Sequence, residues 1–231
     1  MRAISLKYGR DELALSVPDD SLLVAPKACT TPALSSAQLA DAFAHEGLIE
    51  ALGAAPRIAL VVNDQTRKGG MRVTLEAIGA LLDRARVAQD RVDLVVAYGL
   101  HAAQTDETSR AIYGDSILSR TRLVHHDGRD AARLVSIGEL PSGGRVSLAR
   151  EVAEADLRVL VGAVGFHYYA GFSGGRKALL PGVADEASIV RNHLRVLDPS
   201  GPGGRAAGCG PARLDGNPVS EEMFAAARLA D

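Results

Sequence analysis

Hydrophobic and polar positions change period several times along the chain, and each change marks an element. Ala3-Ile4-Ser5-Leu6 and Leu13-Ala14-Leu15-Ser16-Val17 alternate apolar with polar around Tyr8-Gly9-Arg10-Asp11. A period of two on either side of a glycine turn predicts a β-hairpin over residues 2 to 17. Pro18-Asp19-Asp20 ends it, and residues 22 to 34 carry no period and are expected to be irregular. Ser35-Ser36 can cap a helix to about Leu52, with Leu39, Phe43, Leu48 and Leu52 on roughly one face and Gly53 as its stop.

Mostly apolar runs then alternate with helical periods. Strands are expected at Ile58 to Val62, Val92 to Ala97, Leu123-Val124 and Leu157 to Val164. Helices are expected at Met71 to Val87, over residues 105 to 112 and, briefly, over 149 to 155. Leu134 to Ile137 and Arg145 to Leu148 read as a second hairpin. Strands alternating with helices imply a doubly wound α/β fold with a mostly parallel sheet, preceded here by the N-terminal hairpin. The expected organisation is an α/β domain over 1–197, then a connector and helix over 198–231.

The polar motifs follow the apolar runs. Asn63-Asp64-Gln65-Thr66-Arg67 comes after the first strand, Gly99-Leu100-His101 after the second, His125-His126-Asp127 after the third and Phe166-His167 after the last. Ligands of open α/β sheets bind outside the carboxyl ends of the strands. Four motifs at one edge therefore predict one site.

The last of these motifs opens a glycine-rich loop, GFHYYAGFSGGRKALLPG, from Gly165 to Gly182. Gly171, Gly174 and Gly175 let backbone approach a ligand and present N–H groups to an anion such as phosphate. The P-loop pattern is not met: Arg176 stands in place of its second glycine and Ala178 in place of its Ser/Thr. The bland alternative is a tight turn with a solvated lysine.

Asp185 can cap a helix to about Leu197 on which Ile189, His193 and Val196-Leu197 share a face, so His193 is expected to point inward. It is either a core histidine bonded to a carbonyl or a metal ligand. No Cys or carboxylate stands at metal-site spacing beside it, which argues against a zinc site made wholly by protein. A metal held by one protein nitrogen would bring its other ligands with it.

Composition narrows the classes. The chain has 231 residues, 47% hydrophobic, enough for one large α/β domain or a domain and a half. A net charge of −2, few aromatics and no Trp argue against nucleic acid or a membrane surface as partner. The two cysteines, Cys29 and Cys209, fit a reducing compartment. With no signal peptide or membrane span in the sequence, the expected location is the cytoplasm.

D-x-T-R at Asp64 to Arg67, G-x-H at Gly99 to His101, H-Y-Y-A-G-F-S-G-G-R-K at His167 to Lys177, P-G at Pro181-Gly182 and N-H at Asn192-His193 together resemble the nickel-dependent lactate racemase family. Asn217-Pro218-Val219 with Glu221-Glu222-Met223 is similar to that family as well. The likeness covers nearly the whole chain.

The resemblance implies a cofactor, the nickel pincer nucleotide (a pyridinium bis(thiocarboxylate) mononucleotide), attached covalently at Lys177 as a thioamide. His193 would be the one protein ligand to nickel. Ser173, Gly174 and Gly175 would face the cofactor phosphate, and Asp64, Gln65, Thr66 and Arg67 would help bind cofactor and substrate. His101 and His167 would be the catalytic pair, exchanging acid and base roles as a 2-hydroxy acid is inverted by reversible hydride transfer. The partners implied are that substrate, cofactor-maturation enzymes, and a second domain or a second copy of the chain.

Two departures stand out. Ala102-Ala103 follows His101 where family members commonly have Arg, and the family is nearly twice as long, so the chain is expected to lack its C-terminal α/β domain. The readings open at this point are a racemase or epimerase of 2-hydroxy acids, a non-catalytic pincer-binding domain, and a nickel-free α/β domain that binds a phosphate ligand.

Overall fold

The computed structural model describes residues 1–9, 11–24, 30–67 and 69–231. Arg10 of the expected turn, part of the expected irregular stretch, and Cys29 lie outside the described residues. Two compact units are present, Met1–Ala33 and Leu34–Asp231.

The first unit is the expected hairpin. β1 (Arg2–Tyr8) pairs antiparallel with β2 (Asp11–Val17), with Ile4 opposite Leu15 and Leu6 opposite Leu13. The period of two puts Ile4, Leu6, Leu13, Leu15 and Val17 on one face.

The second unit begins with α1 (Ser36–His45) and α2 (Leu48–Ala54). One continuous helix was expected here. Gly47 adopts φ +79°, a left-handed conformation that ends α1 and restarts the chain as α2. There follow β3 (Ile58–Asn63), α3 (Met71–Arg84), β4 (Val92–Ala97), α4 (Asp106–Tyr113), α5 (Asp115–Leu118) and β5 (Arg122–His125). An antiparallel ribbon of β6 (Leu134–Glu139) and β7 (Arg145–Ala149) comes next, then α6 (Arg150–Ala153) and β8 (Leu157–Val161). A two-residue ribbon, β9 (Phe166–His167) with β10 (Gly171–Phe172), precedes α7 (Glu186–Leu194) and α8 (Pro218–Leu229).

The central sheet has the order β5-β4-β3-β8, and every pairing in it is parallel. Its strands are mostly apolar because both faces are covered, with Asp93, Arg122 and Arg158 as the charged exceptions. Along β3, Ile58, Leu60 and Val62 enter one core with Leu52, Leu75, Leu81, Tyr113 and Ile117. Ala59 and Val61 enter the other with Val146, Leu148, Val152, Ile189, Val219 and Met223. Helices α1 to α5 thus cover one face, and the β6–β7 ribbon with α6, α7 and α8 covers the other. This is the doubly wound α/β architecture that the alternation implied. No helix among the described residues is long and apolar enough to cross a membrane.

Helix α7 stops three residues before the expected Leu197. The N–H groups of Arg195, Val196 and Leu197 bond to carbonyls three residues back, so the last turn tightens and the helix ends. The 198–231 segment lies within the second compact unit, and its α8 begins at Pro218 with Asn217 as cap. Asn217 Oδ1 accepts from Ser220 N at 3.1 Å, and its Nδ2 donates to Tyr169 O at 2.8 Å. The Asn-Pro motif therefore ties α8 to the glycine-rich loop.

Candidate functional site

A cleft of about 910 Å³ lies at the carboxyl ends of β3, β4 and β8, where the polar motifs cluster. It is lined from four stretches: Asp64, Thr66 and Arg67 after β3; Tyr98 to His101 after β4; His167, Ser173, Gly174 and Lys177 from the glycine-rich loop; and His193 on α7.

Asp64 and His101 meet inside it. Asp64 Oδ2 is 2.7 Å from His101 Nδ1, and Asp64 Oδ1 accepts from Thr66 N at 3.0 Å and Thr66 Oγ1 at 2.6 Å. A carboxylate can only accept, so the His101 proton facing it sits on Nδ1, which in a neutral ring leaves the lone pair on Nε2. The flanking backbone is pinned as well. Gln104 Oε1 accepts from Gln65 N at 2.8 Å, and Tyr113 OH donates to Asn63 O at 2.8 Å. Gln104 Nε2 in turn donates to Ser109 Oγ and Tyr113 OH, and its backbone N–H donates to Tyr98 OH. Gln104 thus fastens the β3 loop to the loop that carries His101. Nothing in the sequence marked Gln104 or Tyr113: a lone Gln and a lone Tyr have no motif, and their partners lie 39 and 50 residues away.

The glycine-rich loop folds back on β8. Gly165 N donates to Ser173 Oγ at 2.9 Å, and Ser173 Oγ donates to Ala163 O at 3.0 Å, so this hydroxyl is committed to closing the loop. Gly171 has φ +81°, and a Cβ there would lie 2.1 Å from Arg213 O, so only glycine fits. Gly174, at φ +77°, starts a single 3₁₀ turn over Gly175–Ala178. Within that turn the two cations diverge. Arg176 points into the protein, donating to Ala170 O and Ser220 Oγ at 2.9 Å each and lying over the Phe224 ring. Lys177 points into the cleft. Burial, with Arg176 and Arg67 nearby, brings the Lys177 amine down to about 8.

His167 sits beside it, with Nε2 3.5 Å from Lys177 Nζ and Nδ1 accepting from Ala170 N at 3.2 Å and Tyr169 N at 3.5 Å. Burial and the neighbouring cations, Lys177 first among them, push the His167 imidazole down to about 4, so it is neutral at ordinary pH. His193 Nδ1 donates to Ile189 O, one turn back on α7, at 2.7 Å. Its Nε2 lone pair is left to the cleft, and burial lowers its pKa below the usual histidine value. Both features suit a neutral imidazole ligand to a metal. No cluster of three or more His, Cys, Asp or Glu among the described residues could hold a metal ion.

Not every expected residue joins the cleft. The Gln65 side chain does not line it; what Gln65 supplies is the N–H bonded to Gln104. Gly175 is exposed and also outside the lining. The motif after β5 does not reach the site. His125 bridges Tyr98 OH at 2.7 Å and Asp106 at 3.0 Å, and the buried His126 Nε2 donates to Ala184 O at 3.0 Å. Of the four motifs expected to converge, three do.

The glycine loop, the Asp64–His101 pair and His193 can be set beside known proteins. The lactate racemase N-terminal domain family matches residues 8–202. A lactate racemase from Thermoanaerobacterium thermosaccharolyticum is 30% identical over 243 aligned positions, covering all of this chain and 54% of that protein. One from Lactiplantibacillus plantarum is 34% identical over 203, covering 84% of this chain and 47% of that protein. The structure of the lactate racemase apoprotein from Thermoanaerobacterium thermosaccharolyticum superposes with a TM-score of 0.76 at 29% identity, over 99% of this chain and 54% of that one. A protein from Thermotoga maritima shares the fold, with a TM-score of 0.64 at 18% identity over 85% of this chain and 48% of its own. The chain spans about half the length of the curated relatives it matches.

Proposed function

The chain belongs to the lactate racemase N-terminal domain family, and from that premise we propose that its cleft holds a nickel pincer nucleotide for racemising or epimerising a 2-hydroxy acid. The observation that carries this reading is that Lys177, with a pKa brought down to about 8, and His193, with Nε2 free, line one cleft together with the Asp64–His101 pair.

These residues fit such a group. A lysine whose pKa is lowered to about 8 by burial is about half in the neutral amine form near pH 8, the form that can attach covalently. His193 can supply one neutral nitrogen to nickel, which suits a metal whose other ligands come with the cofactor. When bound, the cofactor supplies the acceptor and donor for the hydride of Cα.

The chain's own residues do the rest. Arg67, exposed at the cleft, offers a planar pair of donors to the substrate carboxylate. His101 Nε2 would take the hydroxyl proton as hydride leaves Cα, which gives the 2-oxo acid. Hydride returned to the opposite face of the carbonyl carbon, with a proton returned to its oxygen, would give the inverted hydroxy acid. Asp64 keeps His101 in the tautomer that this requires and stabilises its imidazolium. Turnover belongs to the complete assembly with the relatives' remaining half, and the reading for this chain by itself is cofactor binding in the cytoplasm after loading by maturation enzymes.

Mass spectrometry of the chain made together with the maturation enzymes tests this. A covalent adduct should map to Lys177 and vanish in Lys177→Ala. No adduct, or an adduct that persists in Lys177→Ala, contradicts the reading.

A further inference from the structure

The cleft holds more positive charge than its own acids answer. Arg67 and Lys177 both line it, and Asp64 is the one acid that does so among the described residues. Both Asp64 oxygens are taken, one by His101 and the other by Thr66. Arg67 makes a single hydrogen bond among the described residues, from its backbone N–H to Asp64 O at 3.1 Å, so its guanidinium is unpaired. Lys177 Nζ faces His167 Nε2 at 3.5 Å and the Tyr169 ring, whose centroid is 5.7 Å away, and neither is an anion.

Tyr169 stands among these groups. Its ring packs edge-on against His167, with centroids 4.5 Å apart, and against His193 at 5.6 Å, and its carbonyl accepts from Asn217 Nδ2 at 2.8 Å. The residue is 8% exposed, where Tyr168 beside it is 72% exposed. A buried tyrosine hydroxyl ordinarily has a hydrogen-bond partner. The Tyr169 hydroxyl has none among the described residues, yet it is not one of the sealed polar atoms, so it opens on the cleft that the residue lines. Burial first, then the Tyr168 hydroxyl, pushes it up to about 12 against the pull of Arg67, so it keeps its proton at ordinary pH. It is a neutral donor in a corner whose other donors are cationic.

We propose that Tyr169 is a further binding residue of the cleft, its hydroxyl donating to the substrate carboxylate that Arg67 also holds. This deepens the racemase reading and rests on it. Attachment at Lys177 would remove that amine's charge, which leaves Arg67 and Tyr169 as the donors of this corner. The ring is fixed by its neighbours before any ligand arrives, so little side-chain freedom is lost when the hydroxyl engages.

Titration of the unloaded chain with each enantiomer of lactate, followed by nuclear magnetic resonance, tests this, with inorganic phosphate as a second oxyanion. Lactate should bind saturably, and Tyr169→Phe and Arg67→Gln should each weaken it by roughly tenfold or more, the scale of a hydrogen bond to a charged group. Phosphate binding should be little changed in Tyr169→Phe. The denaturant midpoint of the ligand-free chain should be the same in Tyr169→Phe as in the parent, because a hydroxyl without a partner has no bond to lose and the ring contacts remain. A lowered midpoint would place the hydroxyl's bond inside the fold and overturn the proposal. So would equal lactate binding by parent and Tyr169→Phe, no saturable lactate binding by the parent, or a loss confined to phosphate. Absence of the Lys177 adduct would instead sink the racemase reading and leave a carboxylate site without that chemistry.

Discussion

Asp64 keeps 3% of its side chain exposed while its partner His101 keeps 50%, so a hidden carboxylate orients a ring that faces the cleft. Its second oxygen is used by Thr66, which stops the carboxylate from turning away. On the racemase reading, Asp64→Ala should therefore lower racemisation by the loaded chain joined with the relatives' remaining half by roughly 10²-fold or more, the scale of a misplaced general base, while the Lys177 adduct survives. Loss of adduct and activity together would show that Asp64 serves binding and not orientation. His126 makes a prediction of another kind. It is buried and bonds Ala184 O, and desolvation holds its pKa below the ordinary histidine value. The unfolded chain takes up a proton near pH 6.5 and the folded chain resists it, so stability is full above that pH and declines as pH falls through it. Denaturant midpoints should drop more between about pH 7.5 and 5.5 in the parent than in His126→Asn, and equal drops would remove His126 as the cause.

At the scale of elements, His193 is only as well placed as α7. That helix is held to α8 from below by the buried Glu222, which accepts from Asn192 Nδ2 at 3.0 Å and from Ser142 Oγ and lies 3.7 Å from Arg195. Glu222→Leu would take one of two acceptors from the Asn192 amide, which keeps Val219 O, and the carboxylate from beside Arg195, whose Nε keeps Pro218 O. A loss of about 2–4 kcal/mol is expected on unfolding, read by denaturant titration, together with weaker nickel retention. An unchanged stability would mean that α7 is seated by its apolar contacts alone. Several of these elements were legible in the sequence. The apolar runs 58–62 and 92–97, the second broken only by Asp93, gave the parallel strands because both sheet faces are covered. The motif Asn217 to Met223 was visible as a pattern, but its work of capping α8 and gripping Asn192 needed the fold. Element ends were less legible. Gly47 split a helix that reads as continuous, and α7 stopped early because its last turn tightened. The His125-His126 motif sits at the same sheet edge as the others, yet its side chains turn to Tyr98 and Ala184, a choice of direction that strand position does not encode.

For the molecule as a whole, a four-stranded parallel sheet gathers residues 64 to 193 into one cleft, which is why motifs spread over more than half the chain could be read as one site. The chain matches about half the length of its curated relatives, so cofactor retention is the property it can be asked to show by itself. The most direct test is the nickel-to-protein ratio of the chain produced with the maturation enzymes, compared with Lys177→Ala and His193→Ala. The account predicts nickel near one per chain in the parent, and in both variants a near-complete loss with an unchanged circular dichroism spectrum. Nickel retained at the parental ratio in folded His193→Ala would contradict it.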